Sequence, residues 1–384
     1  MNKKLMTLAV AGAFAAPAAA LAQVQIYGRA NLGFDRYEAT GATAGSAADL
    51  KARNRVYDTG SRVGFRGTED LGGGVRALFS IETGVNMDTG TATGQGGQAN
   101  TSTGTWGTRD SYVGLESSAG RVSFGRQSVF WTNGTIAQTG ANYVNIDVPM
   151  ATVGGGFGRV AGIGTRINNT VMYTFPTTSG FGGYLSYSPN SEAAQGGANT
   201  NAIVEGARVT YEGIVKVQAD WAVNKAASGG IHTLKITGVK LGVGYPYMPG
   251  AQISVILGQN QMGDIAAAVA GFSALGDTIK QKAVIVNWEH TFGNFQALAM
   301  AGKLQKATGC GVVGGCDNTE ATSFLVGGRY VLSKRTATYV TYNRTTNKDN
   351  QILDYTAAGY TSANPGLPAG ADPKILALGV MHNF

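Results

Sequence analysis

Residues 61–85, which read SRVGFRGTEDLGGGVRALFSIETGV, decide the fold class of this 384-residue chain. Two segments of alternating hydrophobicity flank a short glycine-rich turn, Asp70 to Gly73. In the second segment Val75, Ala77, Phe79 and Ile81 share one face, and Arg76, Ser80 and Glu82 share the other. A period of two is that of a β-strand whose faces meet different environments. The stretch therefore predicts two antiparallel strands joined by a tight turn.

The same alternation recurs along the rest of the chain, which is predicted to be all-β with sixteen strands. The strands are expected near residues 24–36, 61–69, 74–85, 108–117, 121–129, 166–175, 180–188, 203–212, 215–224, 231–241, 252–260, 281–292, 294–304, 321–332, 335–345 and 374–384. Their connections alternate between short turns and long loops, near 37–60, 86–107, 130–165, 189–202, 261–280, 305–320 and 346–373. One connection, near 225–230, is shorter than its peers.

The amino-acid composition is consistent with a chain that has many turns and whose surface is only partly exposed to water. Glycine supplies 58 residues, roughly twice the usual share of about 7%. Charged residues make up 14%, against roughly 25% in an ordinary soluble domain. So much glycine excludes long helices, and the plentiful aromatic and β-branched residues exclude disorder.

The first 22 residues are predicted to be a secretory signal peptide. Lys3 and Lys4 precede an apolar stretch, Leu5 to Phe14, and Ala20-Leu21-Ala22 forms a small-x-small cleavage site. The remainder, residues 23–384, is expected to be one domain with 28 basic and 23 acidic side chains, a formal charge of +5. This charge is too mild and too dispersed to indicate a nucleic-acid partner.

The alternating connection lengths are typical of an up-and-down antiparallel barrel in an outer membrane. After residue 22 no stretch has the 18 or so apolar residues of a membrane helix. Closure would also remove the edge strands that sixteen strands in open sheets expose. The alternative is a soluble β-sandwich or β-helix, in which the apolar faces would form a core. The polar opposite faces favour the barrel, since a water-filled lumen requires them.

Several segments carry a family resemblance. They are Val24 to Arg29, Ser61 to Gly74, Arg109 to Leu115, Val122 to Arg126 and Arg166 to Tyr173. The chain also ends in Phe384, as do proteins inserted by the outer-membrane assembly machinery. With these segments the chain resembles the Gram-negative general porins, most closely the β-proteobacterial branch of neisserial and Bordetella-type porins. The resemblance implies a homotrimer of sixteen-stranded barrels in which the third long loop, about 130–165, folds inward and narrows the pore.

The resemblance also implies a basic ladder at the narrowest section, formed by Arg29, Arg62, Arg109 and Arg166. Alternation alone places Arg29, Arg62 and Arg166 on the lumen face, with Ile167 and Val171 on the apolar face opposite Arg166. Arg109 is ambiguous, because it shares its parity with the apolar Val113 and Leu115. The alternative for any one of these arginines is a solvated position on the barrel wall.

Two acidic residues are the expected partners of this ladder. Asp147 is the one acid of the third loop, and Glu82 faces the lumen on its strand, either as a partner or as a simple wall residue. Rings of arginine favour anions. We therefore expect passive diffusion of small hydrophilic solutes with a mild anion preference; the alternatives are a substrate-specific channel and an adhesin or receptor barrel.

Catalytic and cofactor chemistry is not expected. The three histidines lie on separate predicted strands, and neither G-x-S-x-G nor H-E-x-x-H occurs. Cys310 and Cys316 are expected to form a local disulfide in an exported protein, with metal binding as the lesser alternative. The expected partners are further copies of the chain, outer-membrane lipid and lipopolysaccharide, the assembly machinery, and small solutes and anions. The alanine-rich stretch 265–275 has no assigned role.

Overall fold

The computed structural model describes residues 24–88, 106–130, 157–163, 166–189, 203–228, 231–266, 269, 271–354 and 366–384. The expected signal peptide lies outside these residues. The strands of the described part are β1 (Gln25–Thr40), β2 (Leu50–Asp58), β3 (Arg62–Gly72), β4 (Val75–Gly84), β5 (Ser111–Ser117), β6 (Gly120–Ser128), β7 (Arg166–Thr174), β8 (Phe181–Ser188), β9 (Ile203–Glu212), β10 (Lys216–Ser228), β11 (Ile231–Met248), β12 (Ala251–Gly263), β13 (Ile279–Phe292), β14 (Phe295–Leu304), β15 (Ala321–Val331), β16 (Thr336–Asn347) and β17 (Asp372–Asn383).

These strands form one closed antiparallel sheet. From β3 onward each strand pairs with its neighbours in sequence, and β17 pairs with β1 to close the barrel. β2 and β3 both pair with β1, β2 along its second half and β3 along its first half. They therefore occupy one position in the wall, and the described strands make a barrel of sixteen positions, which confirms the predicted fold class.

At the break between β2 and β3, side chains provide hydrogen-bond partners for backbone groups of β1 and of the connecting residues. Asn31 of β1 donates from its Nδ2 to the carbonyl of Thr59 at 2.9 Å, and its backbone N–H donates to Ser61 Oγ at 2.9 Å. The N–H of Thr59 donates to the carbonyl of Asn31 at 3.0 Å. Because a buried backbone group without a partner is costly, these bonds allow the break without opening the wall.

One predicted loop is wrong. Residues 37–60 were expected to form a long loop, but β1 extends to Thr40 and β2 covers Leu50–Asp58, so that only residues 41–49 connect them. Residues 51–54 of β2 are all exposed. A strand that is exposed on both faces carries no hydrophobic alternation, and its pattern therefore resembles that of a loop.

The expected alternation of short and long connections is confirmed. The short connections are residues 73–74, 118–119, 175–180, 213–215, 249–250, 293–294 and 332–335. They all lie at one end of the barrel, opposite the longer loops. Only residues 229–230 separate β10 from β11, in agreement with the short connection expected near 225–230.

The outer face of the wall is apolar. Phe34, Val113, Leu257, Val340 and Leu378 are each at least 40% exposed, although they belong to five strands distributed around the barrel. Exposed apolar residues at every second position indicate a surface that faces hydrocarbon. No helix among the described residues is both long and apolar enough to cross a bilayer.

The inner face is not polar throughout, contrary to the expectation for the lumen. On β12 to β15 the inward side chains include Ile256, Ile285, Leu298, Met300 and Leu325, each at most 3% exposed. They form one apolar cluster with Phe157, Val160, Phe272 and Leu353, which come from the long loops. The inner wall is apolar on this side because loop segments fold inward and pack on it, which removes both surfaces from water.

The alanine-rich stretch 265–275 takes part in this packing. Its Ile265 and Phe272 are 7% and 1% exposed and belong to the same internal cluster. The described residues of the stretch therefore contribute to the apolar packing inside the barrel.

Cys310 and Cys316 form a disulfide in the adjacent loop, with Cα atoms 5.6 Å apart. Within the loop that it closes, the carbonyl of Gly315 accepts a hydrogen bond from Asn350 Nδ2 at 3.0 Å. The N–H of Gly311 donates to Asp277 Oδ2 at 2.7 Å. The disulfide loop is thus connected to the loops on either side of it.

Gly28 is required where the chain end meets β1. Gly28 and Phe384 exchange two backbone hydrogen bonds, at 3.0 and 3.1 Å. A Cβ built at Gly28 would lie 2.6 Å from the carbonyl oxygen of Arg62 and 2.7 Å from Cε2 of Phe384. We expect Gly28→Ala to destabilise the barrel by about 1–3 kcal/mol through overpacking. The temperature at which the folded form disappears on semi-native electrophoresis measures this change.

Gly263→Ala is the matched control for Gly28→Ala. A Cβ at Gly263 would meet only Thr278 Oγ1, at 3.7 Å, which is an ordinary contact. If both variants unfold at the same temperature, the close contact with Phe384 does not limit the stability of the seam.

The disulfide is expected to order its own loop and to contribute little to the barrel, because only five residues separate the two cysteines. Cys310→Ser with Cys316→Ser should leave the unfolding temperature of the barrel close to that of the wild type. The wild type, unfolded without reductant, should show no titratable thiol. Two thiols per chain in that titration would contradict the bond.

Candidate functional site

The four predicted arginines all belong to one sector of the barrel. Arg29 lies on β1 and Arg62 on β3, and the two are register partners. Arg166 is the first residue of β7, and Arg109 lies in the bend that precedes β5. We call these four arginines, together with the carboxylates of Glu82 and Asp110, the arginine cluster.

Glu82 of β4 lies between two of these arginines. Arg109 Nε forms a short ion pair with Glu82 Oε1, and Arg62 Nε lies 3.5 Å from Glu82 Oε2. The hydroxyl of Tyr27 also donates to Oε2, at 3.1 Å. Each oxygen of the carboxylate thus has a cationic partner, so Glu82 holds Arg62 and Arg109 in position.

The structure resolves the ambiguity of Arg109. Its parity with Val113 and Leu115 would place it on the outer face, but those two residues belong to β5, which begins at Ser111. Arg109 precedes the strand, in a bend where its backbone N–H donates to the carbonyl of Glu82 at 2.9 Å. Because the alternation does not extend into the bend, the side chain of Arg109 reaches Glu82.

Arg166 pairs with an acid that alternation does not single out. Its Nε lies 3.5 Å from Asp110 Oδ2, and Ser128 Oγ donates to the same carboxylate at 2.8 Å. In the sequence, the one indication that Asp110 belongs to this site is that it directly follows Arg109. The side chain of Arg166 is only 9% exposed, whereas that of Asp110 is 35% exposed, so the guanidinium is shielded from bulk water and the carboxylate faces the lumen in part.

The expected outward orientation of Ile167 is wrong. Ile167 is 8% exposed and packs in an internal apolar cluster that includes Met172 and Phe130. The cause is Asn169, whose φ of 54° interrupts the extended backbone of β7. The pairing of β6 with β7 shifts register at this point, and alternation before the irregularity does not carry over to the residues after it.

Asp147, the predicted loop partner of the ladder, lies outside the described residues, as does most of the predicted constriction loop. The described ends of that loop are Phe130 and residues 157–163. Both ends contact the inner wall of the barrel.

The first end is held by side chains of two strands. The N–H of Phe130 donates to the hydroxyl of Tyr184 at 2.8 Å, and its carbonyl accepts from Lys240 Nζ. The ammonium of Lys240 also lies 3.8 Å from the centroid of the Phe130 ring. A Cβ at Gly238 would come within 2.6 Å of this ring, so glycine is needed on the wall where the loop begins.

Lys240 belongs to a buried ionic network that the sequence does not reveal. Asp220 Oδ1 pairs with Arg208 Nε at 2.5 Å, and Asp220 Oδ2 lies 3.7 Å from Lys240 Nζ. Gln218 Nε2 donates to Asp220 at 2.5 Å. Alternation places Gln218 and Asp220 on a common polar face of β10, but it contains no information that β9 and β11 supply the cations.

The second end of the loop is attached to another loop and to the inner wall. Arg159 donates from Nε to the carbonyl of Asn350 at 2.8 Å and from Nη2 to its Oδ1 at 2.9 Å. Burial lowers the pKa of Arg159 below its ordinary value. The N–H of Ala161 points to Met262 Sδ at 3.1 Å, and the carbonyl of Ile163 accepts from Asn224 at 3.3 Å. The loop is therefore attached at both ends inside the barrel.

Comparison with known proteins identifies the same architecture. Residues 7–350 match the model of the Gram-negative porin family. The major outer membrane protein P.IB of Neisseria gonorrhoeae is 31% identical over 199 residues, 51% of each chain. The protein of the same name from Neisseria lactamica is 29% identical over 199 residues, 51% of this chain and 52% of that one. The chain spans about half the length of the curated relatives it matches.

A solved structure extends the likeness to the whole barrel. The anion-selective porin from Comamonas acidovorans has a TM-score of 0.71 and covers 94% of this chain and 100% of its own, at 24% sequence identity. This likeness concerns the fold, which it shares in full. The match to the family model over most of the chain and the closed sixteen-position barrel agree: the chain belongs to the Gram-negative porin family and is a multi-pass β-barrel of the outer membrane.

Proposed function

We propose that the protein forms a water-filled channel through which small hydrophilic solutes and ions diffuse passively, with a mild preference for anions. The arginine cluster carries the proposal. Four arginines face two carboxylates there, Glu82 and Asp110, so the described part of the cluster has a net charge of +2. Rings of arginine favour anions in a pore, and low-dielectric walls concentrate the field.

The arrangement of the third loop supports the same function. One described end is bound to Lys240 of the inner wall, and the other is bound to Asn350 of another loop and to Asn224 of the wall. We propose that a loop attached in this way narrows the lumen and sorts solutes by size and charge. The relative from Comamonas acidovorans is described as anion-selective, which agrees with the sign of the charge here. Members of the family are channels, and we propose no catalytic role for this chain.

The partners that we propose follow from the outer-membrane barrel. They are further copies of the chain in a homotrimer, outer-membrane lipid and lipopolysaccharide, and the machinery that assembles such barrels, which would read the terminal Phe384. The exposed apolar outer face must be covered by lipid or by another subunit.

We expect the protein extracted in mild detergent to have the mass of a trimer. Light scattering combined with absorbance gives the protein mass within the detergent complex. A monomer mass in several mild detergents would contradict the trimer and would leave the channel itself untouched.

Replacement of Arg62, Arg109 and Arg166 by Ser should move the selectivity toward cations, most strongly at low salt. An ion about 4 Å from one charge gains about 1 kcal/mol even at the dielectric constant of water, and screening weakens this at high salt. The measurement is the reversal potential in a potassium chloride gradient across a planar bilayer. Glu82→Gln should have the opposite effect, because it removes a negative charge from the same cluster.

The matched control removes three positive charges that lie in connections at the barrel ends: Lys334→Ser, Arg335→Ser and Lys348→Ser. Its net charge equals that of the triple arginine variant, but its reversal potential should stay at the wild-type value. An unchanged potential in the arginine variant would place these arginines away from the selective section. The absence of any conductance in the wild type would overturn the proposed function and favour an adhesin or receptor role.

A further inference from the structure

A second group of arginines lies on the inner wall between the arginine cluster and the short-turn end of the barrel. A lumen cavity of about 870 Å³ is lined there by Tyr27, Arg66, Arg76, Tyr112, Glu116 and Arg121, among other residues. Arg76 directly follows the turn between β3 and β4, and Arg121 lies beside the turn between β5 and β6. These three arginines are distinct from the four of the predicted ladder.

All three arginines face the lumen. Arg66 is four residues from Arg62 on β3 and its guanidinium carbon lies 4.9 Å from the ring centroid of Tyr27. Arg76 of β4 is the register partner of Glu116 of β5 and pairs with it. Arg121 of β6 lies 5.6 Å from the ring centroid of Tyr112. The two tyrosines and Glu116 line the same cavity.

Two of these guanidinium groups are oriented by neutral neighbours. Arg66 Nε donates to Gln25 Oε1 at 2.8 Å, and Arg121 Nη2 donates to Thr174 Oγ1 at 3.4 Å. A guanidinium that lies on an aromatic ring keeps its charge and presents its N–H groups along its edge. Both groups are therefore held in place by uncharged partners, and Glu116, the register partner of Arg121 as well as of Arg76, forms its ion pair with Arg76.

The charge balance of the cavity is positive. Glu116 pairs with Arg76, and Asp110, which also lines the cavity, pairs with Arg166 of the arginine cluster. Within the part of the chain that the structure describes, neither Arg66 nor Arg121 forms an ion pair. The charges of Arg66 and Arg121 are therefore available to an anionic ligand.

The cavity adjoins the arginine cluster directly. Tyr27 lines the cavity with its ring under Arg66, and its hydroxyl donates to Glu82 of the cluster. An anion that leaves the cluster toward the short-turn end therefore enters the cavity that Arg66 and Arg121 line. Conduction through a pore requires several such weak sites in succession.

We propose that this cavity is a binding station for small polyanions, solutes that carry two or more phosphate or carboxylate groups, with Arg66 and Arg121 as the two charged contacts. The proposal rests on the channel function proposed above. A solute with two negative charges is attracted by the charges of both guanidinium groups about twice as strongly as chloride is, because the Coulomb energy is proportional to the charge of the ion. The volume of the cavity leaves room for water beside the solute, so occupancy impedes the chloride current and does not seal the pore.

Inorganic pyrophosphate is the probe for this station. Added to both chambers of a planar bilayer in dilute potassium chloride, it should reduce the chloride conductance of the wild type along a saturable curve. In Arg66→Gln with Arg121→Gln the half-blocking concentration should rise by about a hundredfold, since each of the two charge-assisted hydrogen bonds contributes a factor of about ten. If the double variant fails to assemble, the single variants Arg66→Gln and Arg121→Gln make the same comparison.

The matched control is Lys334→Gln with Arg335→Gln, which removes two positive charges from an exposed turn. It should be blocked by pyrophosphate like the wild type. A wild type that conducts with anion preference but shows no saturable block would overturn the station and leave the channel function standing, as would equal block in wild type and double variant. A wild type without conductance would instead overturn both proposals.

Discussion

Backbone hydrogen bonding in a hydrocarbon layer is the constraint on which the rest of this structure depends. Every N–H and C=O group of a strand that crosses the bilayer needs a protein partner, and the abundance of glycine disfavours helices as the solution. The chain closes its sheet instead, with twelve register pairs between β1 and β17. Gly28 and Phe384 extend this seam, and the side chain of Asn31 supplies the bonds that the break at Thr59 would otherwise lose.

Closure of the wall leaves the inward side chains to determine what the lumen does. On one side they are apolar and hold the loops inside the barrel, as Ile256 and Leu298 do against Phe157 and Phe272. On the other side they are ionic, with carboxylates that position the arginines and are outnumbered by them. In the proposed channel the two sides act together, because loops that pack on the apolar side leave the charged side to the solute.

The loops form a connected support for this arrangement. Arg159 of the third loop is bound to Asn350, and Asn350 is bound to Gly315 within the disulfide loop. Cys310 and Cys316 close that loop, and Gly311 within it is bound to Asp277. The end of the third loop is thus held by three other loops in series, none of which belongs to the barrel wall. Small changes in any of them would reach the third loop through direct contacts.

The period-two pattern determined the strands, the fold class and the lumen orientation of Arg29, Arg62 and Glu82, because alternation is a local property of an extended backbone. Where the backbone departs from that geometry, only the tertiary structure decided the outcome: the bend before β5 directs Arg109 to Glu82, and Asn169 turns Ile167 inward. β2 escapes the pattern for a related reason, since residues 51–54 of this strand are exposed on both faces. Contacts between strands, such as Asp220 with Lys240 or Arg66 with Tyr27, depend on register and on the stagger of the closed barrel. These are set by hydrogen bonding between segments far apart in the chain, which no local pattern records.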